Sequence, residues 1–165
     1  MKLKVFAATT LLISPLLFAG QVDNSAMVKK YHAQLEDVKS LLNETIVTTV
    51  LSVHIADAYR QFGGVLPEVT AHSKHIQRLK EDAEHLFGNA LTETPFPNCR
   101  ELVYDADKIW GLRLDLAKTN KTPGKEISSA EDKFVKAQSA CVNEIKTPPP
   151  AKKDESKTAI IDITS

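Results

Sequence analysis

Residues 98–146 read NCRELVYDADKIWGLRLDLAKTNKTPGKEISSAEDKFVKAQSACVNEIK, and this stretch decides the fold class. Apolar side chains recur in it every three or four residues, on both sides of a break at Pro123-Gly124. The periodic positions are Cys99, Leu102, Ala106, Ile109, Leu112 and Leu116, then Ile127, Ala130, Phe134, Ala137, Cys141 and Ile145. Such spacing is typical of amphipathic helices. The stretch therefore predicts two helices, near 98–119 and 125–146, joined by a short loop.

The two cysteines of the chain lie at nearly equal distances from the middle of that loop. Helices joined by a short loop pack antiparallel, so residues at equal distances from the loop face each other. We therefore expect Cys99 and Cys141 to lie side by side. Because the N-terminal sequence, described below, predicts an exported chain, we expect them to form a disulfide. Redox catalysis is not expected, because an exchange-active pair usually has CxxC spacing.

Two further helices are predicted on the N-terminal side, near 25–62 and 68–87, with Gly63-Gly64 between them. The first carries an apolar stripe that continues through Ile46, Val50 and Val53. All six of residues 45–50 are β-branched, which lowers helix propensity, so a kink or a buried strand there is the alternative. Together the four segments predict an all-α fold, an up-and-down bundle of about four helices with coiled-coil-like packing.

Both ends of the chain differ from this central part. Lys2 and Lys4 precede an apolar run and the small residues Ala19 and Gly20, the order of a secretory signal peptide cleaved near residue 20. An uncleaved N-terminal anchor is the alternative. Three prolines open residues 147–165, which we predict to be a flexible tail. The expected organisation is a signal peptide at 1–20, a helical domain at 21–146 and the tail, in a secreted or periplasmic protein.

The composition excludes several functional classes. The 165 residues hold 21 Lys and Arg against 21 Asp and Glu, with 42% hydrophobic residues. These values do not fit a strongly basic nucleic-acid binder, a multi-span membrane protein or a fully disordered chain. Motifs for a nucleophilic serine, a phosphate-binding loop or a zinc protease do not occur. We predict a non-enzymatic protein that needs no cofactor and binds a protein partner, with a homo-oligomer left open.

Histidines supply one alternative, a metal site in the first hairpin. His54 and His75 lie at equal distances from the middle of that hairpin, and so do Asp57 and His72. Imidazole and carboxylate groups at such positions suit a first-row divalent ion. Solvated or singly hydrogen-bonded histidines are the more ordinary interpretation.

A partner surface is expected where the long first helix projects beyond the second. Its proposed contacts are Val28, Tyr31, Leu35 and Val38, an apolar stripe that this overhang would expose. The stripe would instead be core if the first helix kinked or if the last two helices folded over it. A third function, a carrier of an apolar ligand, is suggested by the aliphatic stretch from Ile46 to Ile55.

Overall fold

The computed structural model describes residues 24–63 and 66–151. This part of the chain forms four helices, α1 (Ser25–Phe62), α2 (Pro67–Phe87), α3 (Pro97–Thr119) and α4 (Lys125–Lys146), and contains no strand. The predicted all-α class is confirmed, and each helix begins and ends within a residue of its expected limits. Helix α1 is helical throughout residues 45–50. The predicted signal peptide and residues 152–165 of the tail lie outside the described residues.

Proline and glycine set several of the helix limits. Pro67 and Pro97 occupy the first turns of α2 and α3, where a missing backbone N–H leaves no hydrogen bond unmade. Gly88 ends α2 with a φ of 78°, in the region that favours glycine. A Cβ at that position would lie 2.6 Å from the Thr92 side chain. The chain can therefore turn sharply from α2 into the following loop only with glycine there.

The helices alternate in direction, and α1 and α3 form the centre of the bundle. Helix α3 packs against the other three, whereas α2 and α4 lie on opposite sides of the bundle, and within the described ranges their backbones do not approach each other closely. Cys99 and Cys141 form the predicted disulfide, with their Cα atoms 4.6 Å apart. Further along the same hairpin, Arg113 forms an ion pair with Glu131 at 2.7 Å. The α3–α4 register is therefore the one that the loop position predicts.

The register of α2 against α1 differs from the prediction. His75 hydrogen-bonds to Thr48, nearly two helical turns before His54, its expected neighbour. Gln34 donates to the Leu86 carbonyl near the other end of the same helix pair. Helix α2 is therefore displaced toward the N-terminus of α1, and its last turn lies beside Gln34.

The expected exposure of the stripe at Val28, Tyr31, Leu35 and Val38 is wrong. Tyr31 and Val38 are buried, and Leu35 packs against the same core cluster. The Tyr31 ring stacks on Phe96 with ring centres 5.0 Å apart. This part of α1 is core because the displaced α2, the residues before α3 and the end of α4 cover it.

The end of α4 and the residues that follow it hold the beginning of α1 in place. Tyr31 donates its hydroxyl hydrogen to the Ile145 carbonyl at 2.6 Å. The Asn24 backbone N–H donates to the Ala151 carbonyl at 3.1 Å, and its side-chain amide donates to the Pro150 carbonyl at 2.8 Å. The described chain therefore ends beside the N-terminus of α1.

Glu144 caps α3 from the neighbouring helix. The residue that precedes α3, Phe96, makes no side-chain cap. The Glu144 carboxylate accepts hydrogen bonds from the backbone N–H of Asn98 at 3.1 Å and of Cys99 at 3.2 Å. Burial raises the pKa of Glu144, and these hydrogen bonds oppose the rise. The cap and the disulfide lie together, so both fix the open end of the α3–α4 hairpin.

Removing the disulfide tests this fixed end. Both half-cystines are buried, so alanine replaces them without leaving buried hydroxyl groups. Cys99→Ala combined with Cys141→Ala should lower the free energy of unfolding by about 3–4 kcal/mol, because the unfolded chain regains a loop of roughly forty residues. Urea denaturation measures the loss. An unchanged unfolding free energy would show that the bond does not constrain the native protein.

Removing the carboxylate tests the cap. Glu144→Ala leaves the Asn98 and Cys99 N–H groups without their acceptor and should lower the free energy of unfolding by about 1–3 kcal/mol. Asp132→Ala, at an exposed position of the same helix, serves as the control and should change it by less than about 0.5 kcal/mol. Equal losses in the two variants would contradict a capping role for Glu144.

Candidate binding surface

The middle of α1 carries hydroxyl side chains toward the core and aliphatic side chains toward solvent. Thr45, Thr48, Thr49 and Ser52 are all buried. The exposed fractions of Val47, Val50, Leu51 and Val53 are 49%, 60%, 49% and 39%. We call these four aliphatic residues the valine face. A helix of a water-soluble bundle normally has the opposite arrangement, with its apolar stripe inside.

The buried hydroxyl groups find their hydrogen-bond acceptors within α1. Thr45 donates to the Leu41 carbonyl at 2.7 Å, and Thr49 donates to the Thr45 carbonyl at 2.8 Å. Ser52 donates to the Thr49 carbonyl at 2.7 Å. Side chains that bond to a preceding turn in this way lose little on leaving water. Burial of this side of α1 therefore leaves no hydroxyl hydrogen bond unmade at these three positions.

Arg113 of α3 joins this hydroxyl side to two other helices. Its guanidinium group donates to the Thr49 carbonyl at 2.7 Å and also to the Ser52 hydroxyl. A second nitrogen of the same group donates to Glu131 of α4 at 2.7 Å. A planar guanidinium satisfies several acceptors at fixed angles, so it specifies their relative positions. Arg113 thereby fixes which side of α1 faces α3.

His75 makes the corresponding contacts between α1 and α2. Its Nε2 lies 3.0 Å from the Thr48 hydroxyl and 3.3 Å from the Glu44 carboxylate. Its Nδ1 lies 3.0 Å from an Arg78 nitrogen, which can only donate. Nδ1 must then accept, and Nε2 carries the hydrogen. Polar contacts on two sides therefore hold α1 with the valine face outward.

The valine face is continuous, unlike the other exposed apolar residues in the described part of the chain. Its residues follow one another on successive turns, and the exposed polar residues Asn43 and His54 flank them. Phe62, Leu91 and Val135 are exposed singly. Scattered apolar residues are ordinary on protein surfaces, whereas a contiguous patch with a polar rim is typical of an interaction site.

The four residues predicted to bind a metal do not come together. His54 is exposed, and Asp57 pairs with Arg60 at 3.5 Å on its own helix. His72 is buried against Trp110, with ring centres 4.6 Å apart, and His75 has the partners given above. The described residues contain no group of three or more His, Cys, Asp or Glu side chains suited to a metal ion. This prediction is wrong because it depended on the α1–α2 register.

A cleft between α1, α3 and α4 lies at one edge of the valine face. Its volume is about 150 Å³, and Val53, Ala56 and Ile127 line it together with the charged Arg113 and Glu131. Typical small-molecule sites enclose roughly 300–1,000 Å³. The aliphatic stretch that suggested an apolar-ligand carrier instead directs most of its large side chains to solvent. The cleft gives that alternative no support.

The reversal within α1 was not predicted from the sequence. The expected apolar stripe of α1 included Val50 and Val53, and both are exposed. A competing stripe was present, because Thr45, Thr48 or Thr49, Ser52 and Ala56 also recur at helical spacing. Small hydroxyl residues at that spacing, together with a low-propensity aliphatic run, were the available signal for the valine face.

Comparison with known proteins found no match among family models, curated proteins or solved structures. Within residues 24–63 and 66–151, no helix has an apolar stretch long enough to cross a membrane.

The buried imidazole of His72 predicts that acid weakens the fold. Burial lowers the pKa of His72, and repulsion from His75, whenever that ring is protonated, and from Arg113 lowers it further. The unfolded chain takes up a proton near pH 6.5, whereas the folded chain resists it, so stability falls as the pH drops through this range. His72→Gln should reduce this slope between pH 7.5 and 5.5 in denaturant titrations. The exposed His54→Gln should leave it unchanged, and equal slopes in wild type and His72→Gln would contradict the assignment.

Proposed function

We propose that this chain is an exported, non-enzymatic helical protein that binds a protein partner through the valine face. The observation that carries the proposal is the exposure of Val47, Val50 and Leu51 beside buried threonines on the same helix. Exposed aliphatic surface loses favourable transfer free energy, roughly 25 cal/mol for each Å² left in water. A protein partner that covers the face would recover that free energy.

The surroundings of the face favour a protein partner over a small molecule. The face is convex because it lies on one helix, whereas sites for small molecules are concave. Its apolar centre is bordered by Asn43, His54 and Asp57, as in interfaces with an apolar centre and a polar rim. Arg113 and His75 hold α1 in place, so binding would cost little additional ordering.

The partner chemistry that fits is a protein segment with aliphatic side chains, extended or helical. The whole chain has a formal net charge of zero, so long-range electrostatic steering adds little to recognition. The disulfide is compatible with a secreted or periplasmic location, where such bonds persist. The absence of catalytic motifs in the sequence supports a binding role.

Site-specific crosslinking tests the proposal in the full chain, produced with its own N-terminal segment. A photoreactive amino acid at Val50 should capture a defined partner, whereas the same amino acid at Val135 should not. Val135 is a matched control because it is 58% exposed on α4 and its helical neighbours Glu131, Asp132 and Ser139 are polar. Equal capture at both positions would contradict a specific surface.

Binding to the purified partner then measures the contribution of the face. Val50→Asp combined with Leu51→Asp should weaken binding at least tenfold, about 1.4 kcal/mol, because two carboxylates would enter an apolar contact. Val135→Asp should leave the affinity unchanged. Wild-type affinity in the double variant would overturn the proposal. A large drop in its thermal midpoint would show that the face belongs to the core.

A further inference from the structure

We propose that the C-terminal segment of the same chain, residues 152–165, runs along α1 and covers the valine face, so that a partner must displace it. That the segment covers the valine face does not depend on the proposed function. That it competes with a partner for the face rests on the proposed function. Four features carry the inference: where the described chain ends, the length that follows, the charges along the route and the side-chain pattern of the segment.

The described chain ends at the right place. Asn24, at the beginning of α1, is hydrogen-bonded to Pro150 and Ala151. Tyr31 is bonded to the end of α4 one to two turns further on. The described chain therefore ends at Ala151 beside the N-terminus of α1, and a segment that followed the helix from there would run toward the valine face.

The length of the segment matches the distance to the face. Ile161 and Ile163 follow Ala151 by ten and twelve residues, about 33 and 40 Å in an extended chain. Along α1, Val47 and Val50 lie about 35 and 39 Å from Asn24, at 1.5 Å per residue. The two isoleucines therefore reach the level of the two valines without slack or strain.

Charge along the route is complementary. A groove of about 260 Å³ between α1 and α2 immediately precedes the valine face, and its lining includes the carboxylates of Asp37, Glu44 and Asp82. Before its isoleucines the segment carries Lys152, Lys153 and Lys157 against Asp154 and Glu155, a net charge of +1. Lys157 is about 20 Å beyond Ala151 in an extended chain, which is the rise of α1 from Asn24 to Asp37. The lysines would thus pass an acidic groove before the isoleucines meet the valines.

The side-chain pattern of the segment allows a sharp control. In an extended chain, alternate residues point to opposite sides, so Ile161 and Ile163 share one side and Ile160 and Asp162 the other. The side with two isoleucines suits an aliphatic surface. Ile160 is therefore the matched control, since it has the same chemistry and adjoins the pair.

Methyl NMR of the full-length protein tests the covering directly. Ile161→Asp combined with Ile163→Asp should shift the methyl signals of Val47, Val50 and Leu51, because these side chains lose their cover. Ile160→Asp should shift them much less, and the methyl signals of Val135 should stay in place in every variant.

Three results would overturn the inference. The first is an unchanged set of valine-face signals in the double variant, and the second is an equal change of these signals with Ile160→Asp. The third is a wild-type spectrum in which these signals move with protein concentration, since a second copy of the chain would then be the occupant. Each of these outcomes leaves the partner proposal to its own crosslinking test.

Competition is measured separately, with the crosslinked partner once purified. The double variant should bind it several-fold more tightly than wild type, because its binding-competent form is always populated. If the double variant shifts the valine-face methyl signals but crosslinking captures no partner, only the proposed function fails. If a partner binds tightly but the double variant leaves those signals unshifted, only the proposal of a covering segment fails.

Discussion

The contact between Arg113 and the hydroxyl side of α1 is the interaction on which the arrangement of the bundle depends. One guanidinium group bonds a carbonyl and a hydroxyl of α1 and a carboxylate of α4, and it belongs to α3. Its side chain is only 15% exposed, so these bonds lie in a poorly solvated region where a missing partner is costly. Rotating α1 about its axis would remove the Thr49 carbonyl and Ser52 from reach. The orientation of α1 is therefore specified by polar chemistry as well as by apolar burial.

Other parts of the fold support this contact. The disulfide and the Glu144 cap fix the open end of the α3–α4 hairpin, and Arg113 and Glu131 pair in the half of the hairpin nearer its loop. His75 supplies a second set of polar contacts on the α2 side of α1. The valine face is a consequence, because a helix whose hydroxyl side faces inward must direct its remaining side chains outward.

Much of the architecture follows from local rules. Proline, glycine and helical periodicity place all four helices, and the equal spacing of Cys99 and Cys141 from their loop predicts the disulfide, since α3 and α4 are joined by a short turn. The α1–α2 register does not follow in this way. It depends on how the two helices slide against each other, and contacts such as Gln34 with Leu86 and His75 with Thr48 settle it. The metal site and the exposed N-terminal stripe were inferred from the wrong register.

The rotation of α1 was equally hidden, for a different physical reason. Threonine and valine have nearly the same shape, and a threonine whose hydroxyl bonds the preceding turn behaves almost as an aliphatic residue in a core. Between residues 45 and 53 both faces of α1 could therefore be buried. Arg113 decides between them, and its role depends on the packing of three helices, which periodicity within one segment does not reveal.

The most direct test compares Thr45 and Val47, two β-branched residues two positions apart. Thr45→Asp should lower the free energy of unfolding by more than about 3 kcal/mol, because the new charge is fully buried. Val47→Asp, at a position 49% exposed, should lower it by less than about 1 kcal/mol. Urea denaturation of both variants at pH 7 gives the two values. A loss for Val47→Asp that equals or exceeds the loss for Thr45→Asp would contradict the orientation of α1 and the binding surface inferred from it.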